Sequence, residues 1–410
     1  MGATRALGWA NALGRGLARV GLRASLDEES LLRGARRVTR LSDFGDEGFR
    51  PALRRLLQSY EEEAPLSPSG RLLRRIDFVD MLANRLRVER RIAREPRIAD
   101  APVRSPLIVT GLPRTGTTLL QRLLSLDPDA RALLTWEAMW PAPLSRRRTG
   151  PADPRIRHTR RLVWMARRLM PGIDRIHPLD PEGPEECTRL LDSSFRWAYF
   201  AVESRLPGYA AWLASQGPDA MVPAYHWYAR QLQVLQSQRA ASGRWVLKSP
   251  AHLWNLPALL HVIPGARIVV TVREPRETVA SACSLFALLY STTAEDSRTG
   301  RIGPGVAASL ARALTQGLET AARHPGRVQV VRYEDLVARP VETVRAIHAG
   351  FGLSFPATLE RSARAWLEAN PQGRHGVHRY DLASYGLDEE TVDRLFEAPC
   401  RMADLAAGRG

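Results

Sequence analysis

The sequence predicts an α/β protein: a P-loop-type parallel sheet flanked by helices, with a helical N-terminal extension. Three observations carry that prediction. Short apolar, β-rich runs recur from residue 106 onward, and most are followed by a helical stretch. The first run opens into a glycine-bounded loop and then a helix, through Gly111-Leu112-Pro113-Arg114-Thr115-Gly116-Thr117-Thr118. Upstream, residues 27–98 repeat apolar side chains at spacings of three and four, the helical period. Short strands alternating with helices imply a parallel sheet covered on both faces.

Taken in order, the first 26 residues carry Arg5, Arg15, Arg19 and Arg23 and no acid. They read as a docked or frayed terminal helix, with an amphipathic helix on a membrane surface as the alternative. Leu53, Leu56 and Leu57, then Leu72, Leu73, Ile76 and Phe78, then Met81, Leu82, Leu86 and Val88 mark the helices that follow. This extension (1–100) ends near Pro102. Strands are expected at Pro106–Thr110, Ala132–Trp136, Arg244–Leu247, Ala266–Val272 and Val328–Val331. Helices fit 117–126, 276–290, 305–323 and 341–351. The Pro- and Arg-rich stretch 141–185 reads as an irregular or partly helical insertion, where an acceptor pocket could lie. The main domain spans 101–385, and 386–410 forms a C-terminal helical tail.

Composition bounds the function. The chain has 410 residues, 44% of them apolar, enough for a sizeable core. Its formal charge of +16 comes from 59 basic against 43 acidic residues. Of the basic residues 58 are arginine, and Lys248 is the only lysine. Heavy Arg and Ala usage follows genome composition, and no aromatic-interleaved basic repeat or DNA-reading motif is present. No nucleic-acid partner is expected. Cys187, Cys283 and Cys400 lack metal-type spacing, and their odd number and wide spread fit a reducing, cytoplasmic compartment. No apolar run approaches the roughly 20 residues that span a bilayer, and the N-terminus lacks a secretory signal's apolar core.

The loop at Gly111 is an anion cradle. Free backbone N–H groups and the positive end of the helix both face a bound anion. Its spacing is that of G-x-x-x-x-G-K-[ST], with Thr117 in place of the lysine that reaches the β/γ-phosphates. That loss argues against a triphosphate ligand, and Arg114 inside the loop supplies positive charge instead. A second anion site is expected where Arg273 leaves the strand ending at Val272, with Ser281 eight residues on. An arginine there can fork onto a phosphate, and a serine in the next helix can add a hydroxyl.

The stretch Ile108 to Thr118 resembles the 5′-phosphosulfate loop of sulfotransferases that use 3′-phosphoadenosine 5′-phosphosulfate (PAPS). Its wording is closest to the loops of tyrosylprotein sulfotransferases and related bacterial enzymes. The Arg273/Ser281 pair resembles that family's 3′-phosphate motif. Val331-Arg332-Tyr333-Glu334-Asp335-Leu336 resembles its strand-end Y-E-D motif, and Trp245-Val246-Leu247-Lys248-Ser249-Pro250 its K-[ST] strand end. The likeness covers roughly residues 105–140, 244–290 and 327–385. It implies PAPS as co-substrate, held by Pro113, Arg114, Thr115, Gly116, Thr117 and Thr118 at the 5′ side. It implies Arg273 and Ser281 at the 3′-phosphate and Tyr333 near the nucleotide. Arg114 stands where the family has a catalytic lysine, often replaced by arginine in this subgroup. The family's late loop over the 3′-phosphate contains glycine and lysine. Here Gly373-Arg374-His375-Gly376-Val377-His378-Arg379-Tyr380 stands instead.

Ligands of an open parallel sheet bind beyond the carboxyl ends of its strands, where Arg114, Glu137, Lys248, Arg273 and Tyr333 are expected. Sulfuryl transfer should resemble phosphoryl transfer, with a loose in-line transition state. Arg114 and Lys248 can meet the charge on the leaving oxygen. A base must take the proton of a hydroxyl-bearing acceptor, whether lipid, glycan, tyrosine or secondary metabolite. The candidates are Glu137, read at the end of the second strand, and His252, four residues past Lys248. Glu137 is favoured because a glutamate in that region serves tyrosylprotein sulfotransferases. No metal-ligand cluster is seen, and no metal is expected. The basic run Arg155–Arg168 is read as a solvated helix face, with an anionic acceptor or a membrane as the other option. A P-loop kinase is the alternative enzyme; Thr117 and the lack of a Mg²⁺ carboxylate after a strand count against it.

Overall fold

The computed structural model describes residues 11–12, 15–16, 23–144, 153–169, 174, 179–197, 200–201, 204–217, 219–239, 243–291, 302–371 and 381–406. Five parallel strands form one sheet: β1 (Leu107–Gly111), β2 (Ala130–Ala132), β3 (Arg244–Lys248), β4 (Arg267–Val272) and β5 (Val328–Arg332). Their order is β2-β3-β1-β4-β5. The strand carrying the glycine loop is therefore central. Val109 lies opposite Lys248 on one side, and Gly111 lies opposite Thr271 on the other.

Every residue of β1 is buried, because helices cover both faces of the sheet. Alternate side chains go to opposite faces, as a strand requires. Ile108, Leu247, Ile268 and Val270 join one apolar cluster with Leu53, Leu56, Phe78 and Leu82 of the N-terminal helices. Leu107, Val109, Val246 and Val269 join another with Leu120 and Leu123 of helix Thr117–Leu124 and with Val344 and Ile347 of helix Pro340–Gly350. The helices of the extension thus share a core with one face of the sheet. They begin where the sequence provides caps. Asp27 Oδ1 accepts the Ser30 N–H at 2.9 Å, and Ser67 Oγ accepts the Gly70 N–H at 3.1 Å.

One local reading is corrected, and one is made more definite. The run Ala132–Trp136 is not a strand: β2 is confined to Ala130–Ala132, and a short helix, Thr135–Met139, follows. Glu137 sits at its third position and turns back to accept the Leu134 N–H at 3.2 Å. That bond closes the helix start and overrides the apolar run's strand character. The insertion contains a regular helix, Pro154–Leu169. Its inner face buries Arg155, Thr159 and Val163, four residues apart. Trp136 and Trp140 are both buried. No helix among the described residues is long and apolar enough to cross a membrane. The Gly373–Tyr380 run lies outside the described residues.

Candidate active site

The carboxyl ends of β3, β1, β4 and β5 form one rim, and the sheet order assigns each a group. Lys248 closes β3, the glycine loop leaves β1, Arg273 follows β4, and Tyr333 follows β5. Val272 pairs with Arg332, so Arg273 and Tyr333 leave neighbouring strands at the same level.

The loop is held tightly from beneath. Thr115 is buried; its hydroxyl donates to Leu112 O at 2.7 Å and lies 2.6 Å from the Thr271 hydroxyl. Gly111 has φ +151°, and a Cβ there would stand 2.3 Å from Thr271 Oγ1 and 2.5 Å from Thr271 O. Only glycine lets the loop leave β1 this close to β4. Gly116 has φ +83°, and its Cβ would meet Leu336 at 2.9 Å and Tyr333 at 3.0 Å. Arg114 adopts a left-handed φ of +67° that a non-glycine residue rarely takes, and its side chain is exposed. Strain of this kind gathers at ligand sites. The first bond inside the following helix runs from the Leu120 N–H to Gly116 O at 3.0 Å. The amides of the first turn therefore have no helical partner and face the loop. Thr117 is buried, and Thr118 is exposed.

Arg273 links the glycine loop to Tyr333. Its Nη1 donates to Arg114 O at 3.0 Å, and its guanidinium lies 4.1 Å from the Tyr333 ring centroid. Glu277 forms an ion pair with it from one turn into the next helix. Ser281 is buried in that helix, Pro275–Ser291. The donor set suits a nucleotide with two separated anionic groups. Arg114 and the helix amides could meet one anionic group and Arg273 another, with the Tyr333 ring stacked against the Arg273 guanidinium.

Lys248 is almost fully buried, yet its ammonium reaches the rim, where Nζ meets Glu186 Oε1 at 2.5 Å. The Glu186 side chain is 27% exposed. The segment carrying it is strapped across the sheet edge. The Glu185 N–H donates to Leu133 O at 2.9 Å, the Cys187 N–H donates to Lys248 O at 2.9 Å, and Gln121 Nε2 donates to Glu185 O at 3.1 Å. Glu186 is the residue that sequence reading missed. The Pro- and Arg-rich stretch ends at residue 185, and nothing in the spacing joins residue 186 to residue 248.

The two carboxylate and imidazole candidates are placed differently. Glu137 is buried beneath the rim, with Arg131 Nη2 on its carboxylate at 3.0 Å and Arg239 at 3.8 Å. Arg131 is itself buried, stacks on Trp245 at 4.2 Å, and is pushed below its ordinary pKa by that burial. His252 is fully buried behind Lys248. Its Nε2 lies 3.1 Å from Cys187 Sγ and its Nδ1 3.0 Å from the Tyr225 hydroxyl. Burial without a counter-charge pushes the imidazole down to about 3, so it is neutral. Pro250 opens a 3₁₀ turn, Pro250–Asn255, after the strand ends at Lys248, and that turn carries this buried histidine.

Similarity to known proteins follows the same map. A family model described as Sulfotransferase family matches residues 106–357, from the start of the sheet to beyond β5. The omega-hydroxy-beta-dihydromenaquinone-9 sulfotransferase Stf3 of Mycobacterium bovis and of Mycobacterium tuberculosis is 26% identical over 297 residues. The match covers 67% of this chain and 70% of that protein. The crystal structure of sulfotransferase STF1 from Mycobacterium tuberculosis H37Rv superposes with a TM-score of 0.78 at 32% identity, over 91% of this chain and 98% of its own. Sulfotransferase STF9 from Mycobacterium avium does so with a TM-score of 0.79 at 28% identity, over 92% and 96%. With more than half its length on the family model and nearly all of it on solved members, the chain belongs to the sulfotransferase family.

Proposed function

We propose that this sulfotransferase moves the sulfuryl group of PAPS to a hydroxyl of an acceptor with a large apolar body, a lipid alcohol above all. The observation that carries the reading is the meeting of Arg114, Arg273 and Tyr333 around one loop, with Lys248 ending the neighbouring strand. In this reading Pro113 to Thr118 hold the 5′-phosphosulfate, Arg273 and Ser281 the 3′-phosphate, and Tyr333 flanks the nucleotide. The likeness to the tyrosylprotein sulfotransferase loop supports Arg114 as a cation at the transferring group. The lipid class is supported by Stf3, whose name specifies a hydroxylated menaquinone.

PAPS supplies a sulfonate on a good phosphate leaving group. The chain's residues do the rest. Arg114 and Lys248 meet charge that develops on the phosphate oxygen as its bond to sulfur breaks and the acceptor oxygen bonds to sulfur. Glu186 takes the acceptor proton. It combines partial exposure, a place at the rim and contact with Lys248. Glu137, held by Arg131, and His252, neutral and enclosed by Cys187 and Tyr225, are assigned to support of the fold. A kinase reading gains nothing at Thr117, which is buried and carries no charge.

The test is transfer of label from PAPS to a panel of lipid alcohols, glycans and tyrosine peptides. A parallel titration compares 3′-phosphoadenosine 5′-phosphate with ATP-Mg²⁺. Transfer to a lipid alcohol with tighter binding of the bisphosphate supports the reading. Preference for ATP-Mg²⁺ overturns it.

A further inference from the structure

We propose that the outer face of helix Pro154–Leu169 is a docking surface for an anionic lipid bilayer, beside the mouth of the candidate site. The helix buries Arg155, Thr159 and Val163 toward the protein. Its opposite face presents Arg157, Arg161, Trp164, Met165 and Arg168, at spacings of three and four. Trp164 is 60% and Met165 45% exposed, so two large apolar side chains stand in water in the middle of a basic stripe. Large exposed apolar groups rimmed by charge mark interaction sites.

The charges are available. Arg160 is engaged by Glu182, and Arg167 by Asp174 and Leu179 O. Arg157, Arg161 and Arg168 meet no carboxylate among the described residues; Arg168 instead lies 5.3 Å from the Trp164 ring. A bilayer interface satisfies both halves of this face at once. Its anionic headgroups take the guanidiniums, and the headgroup–acyl boundary takes the indole and the thioether. A nucleic acid would answer the arginines but offers no apolar phase to Met165.

The position of the helix gives the surface a use. Arg155 Nη1 donates to Trp140 O at 2.8 Å, and its guanidinium lies 4.5 Å from the Trp136 ring, which fixes the helix to Thr135–Met139. Arg160 and Arg167 tie it to residues 179–182, the start of the strap that brings Glu186 to Lys248. A bilayer on this face would lie beside the acceptor side of the rim. This inference goes beyond sulfuryl transfer and does not depend on it.

Full-length protein is sedimented with vesicles of phosphatidylcholine, alone or with phosphatidylglycerol. The wild type is expected to bind the anionic vesicles and to be released by salt. Each membrane-adjacent arginine contributes about 1 kcal/mol, so R157Q/R161Q/R168Q should lower partitioning on the order of 100-fold. Trp164→Ser with Met165→Ser should lower it at least about tenfold. Arg312→Gln with Arg361→Gln, exposed arginines on other helices, should leave it unchanged. Thermal midpoint and binding of 3′-phosphoadenosine 5′-phosphate, measured on every variant, separate loss of the surface from loss of fold or of the nucleotide site. Absence of wild-type binding, or equal loss in the distant control, overturns the proposal. So does a preference for a short RNA duplex over the vesicles that disappears in the triple arginine variant.

Discussion

Lys248 and Glu186 are 62 residues apart in the chain, and their side chains meet at 2.5 Å. The ammonium of the only lysine is thus held at the rim by a carboxylate from the segment that follows the insertion rather than from the sheet. Strand β3 and the segment after the insertion each supply half of the pair. This joins the rim built on β1, β3, β4 and β5 to the strapped segment of residues 185–187.

If Glu186 is the base, Glu186→Gln should lower kcat about 10²- to 10⁴-fold, the usual contribution of a positioned base. Binding of 3′-phosphoadenosine 5′-phosphate should change little, while the thermal midpoint should fall, because the substitution leaves the almost fully buried Lys248 ammonium without its carboxylate partner. Single-turnover kinetics beside a thermal scan checks this. A variant that turns over normally removes Glu186 from the chemistry.

Arg273→Ala should weaken 3′-phosphoadenosine 5′-phosphate far more than adenosine 5′-phosphate. Losing a charge-assisted hydrogen bond costs about 1.5–3 kcal/mol, or roughly 10- to 150-fold in affinity. The variant also loses the bond to Arg114 O, so the 5′ side should weaken somewhat for both ligands. Calorimetric titration of the two nucleotides gives the ratio. An equal loss for both would mean that Arg273 serves only the loop.

Much of this architecture was legible in the sequence. The alternation of strands and helices, the glycine loop and the strand-end arginine are local patterns, and the fold preserves them. Arg114, Arg273 and Tyr333 come together because each follows a strand of one parallel sheet, a consequence of topology that short motifs can signal. The rest was hidden where tertiary contacts outrank local pattern. Ala132–Trp136 has strand character, but Glu137 caps a helix start and pairs with Arg131, so the chain turns before Trp136. His252 has a suitable ordinary pKa, but its surroundings of Cys187, Tyr225 and Tyr228 could not be read from spacing. Glu186 was invisible because its partner arrives from across the sheet edge.

The buried imidazole predicts a pH dependence of stability. His252 titrates near 6.5 when unfolded and near 3 when folded, so the unfolded chain takes up a proton first as pH falls. Its neutral form therefore costs nothing above about pH 6.5 and loses stability progressively below it, about 2 kcal/mol by pH 5. Cys187 beside it is pushed up to about 12 by its own burial and supplies no opposing charge at these pH values. His252→Asn should flatten the fall in unfolding free energy between pH 7 and pH 5 and retain measurable turnover. Parallel curves for wild type and variant would show that the acid loss arises elsewhere.

The last prediction separates a structural carboxylate from a catalytic one. Glu137 and Arg131 form a buried ion pair, 3.0 Å apart, with both side chains at most 5% exposed. Removing one partner of such a pair leaves an uncompensated buried charge and costs about 3–5 kcal/mol. Glu137→Gln keeps the shape but strands Arg131, whose Nε and Nη1 are already buried without acceptors. The variant should unfold at a markedly lower temperature. Per folded molecule, assayed well below that temperature, its turnover should stay within about tenfold of wild type, unlike the loss expected of a missing base. Adding Arg131→Met removes the stranded charge while keeping apolar contact with Trp245, so the double variant should recover much of the lost stability. A Glu137→Gln protein with a normal thermal midpoint and a collapsed kcat would reverse the assignment, making Glu137 the base and Glu186 the anchor of Lys248.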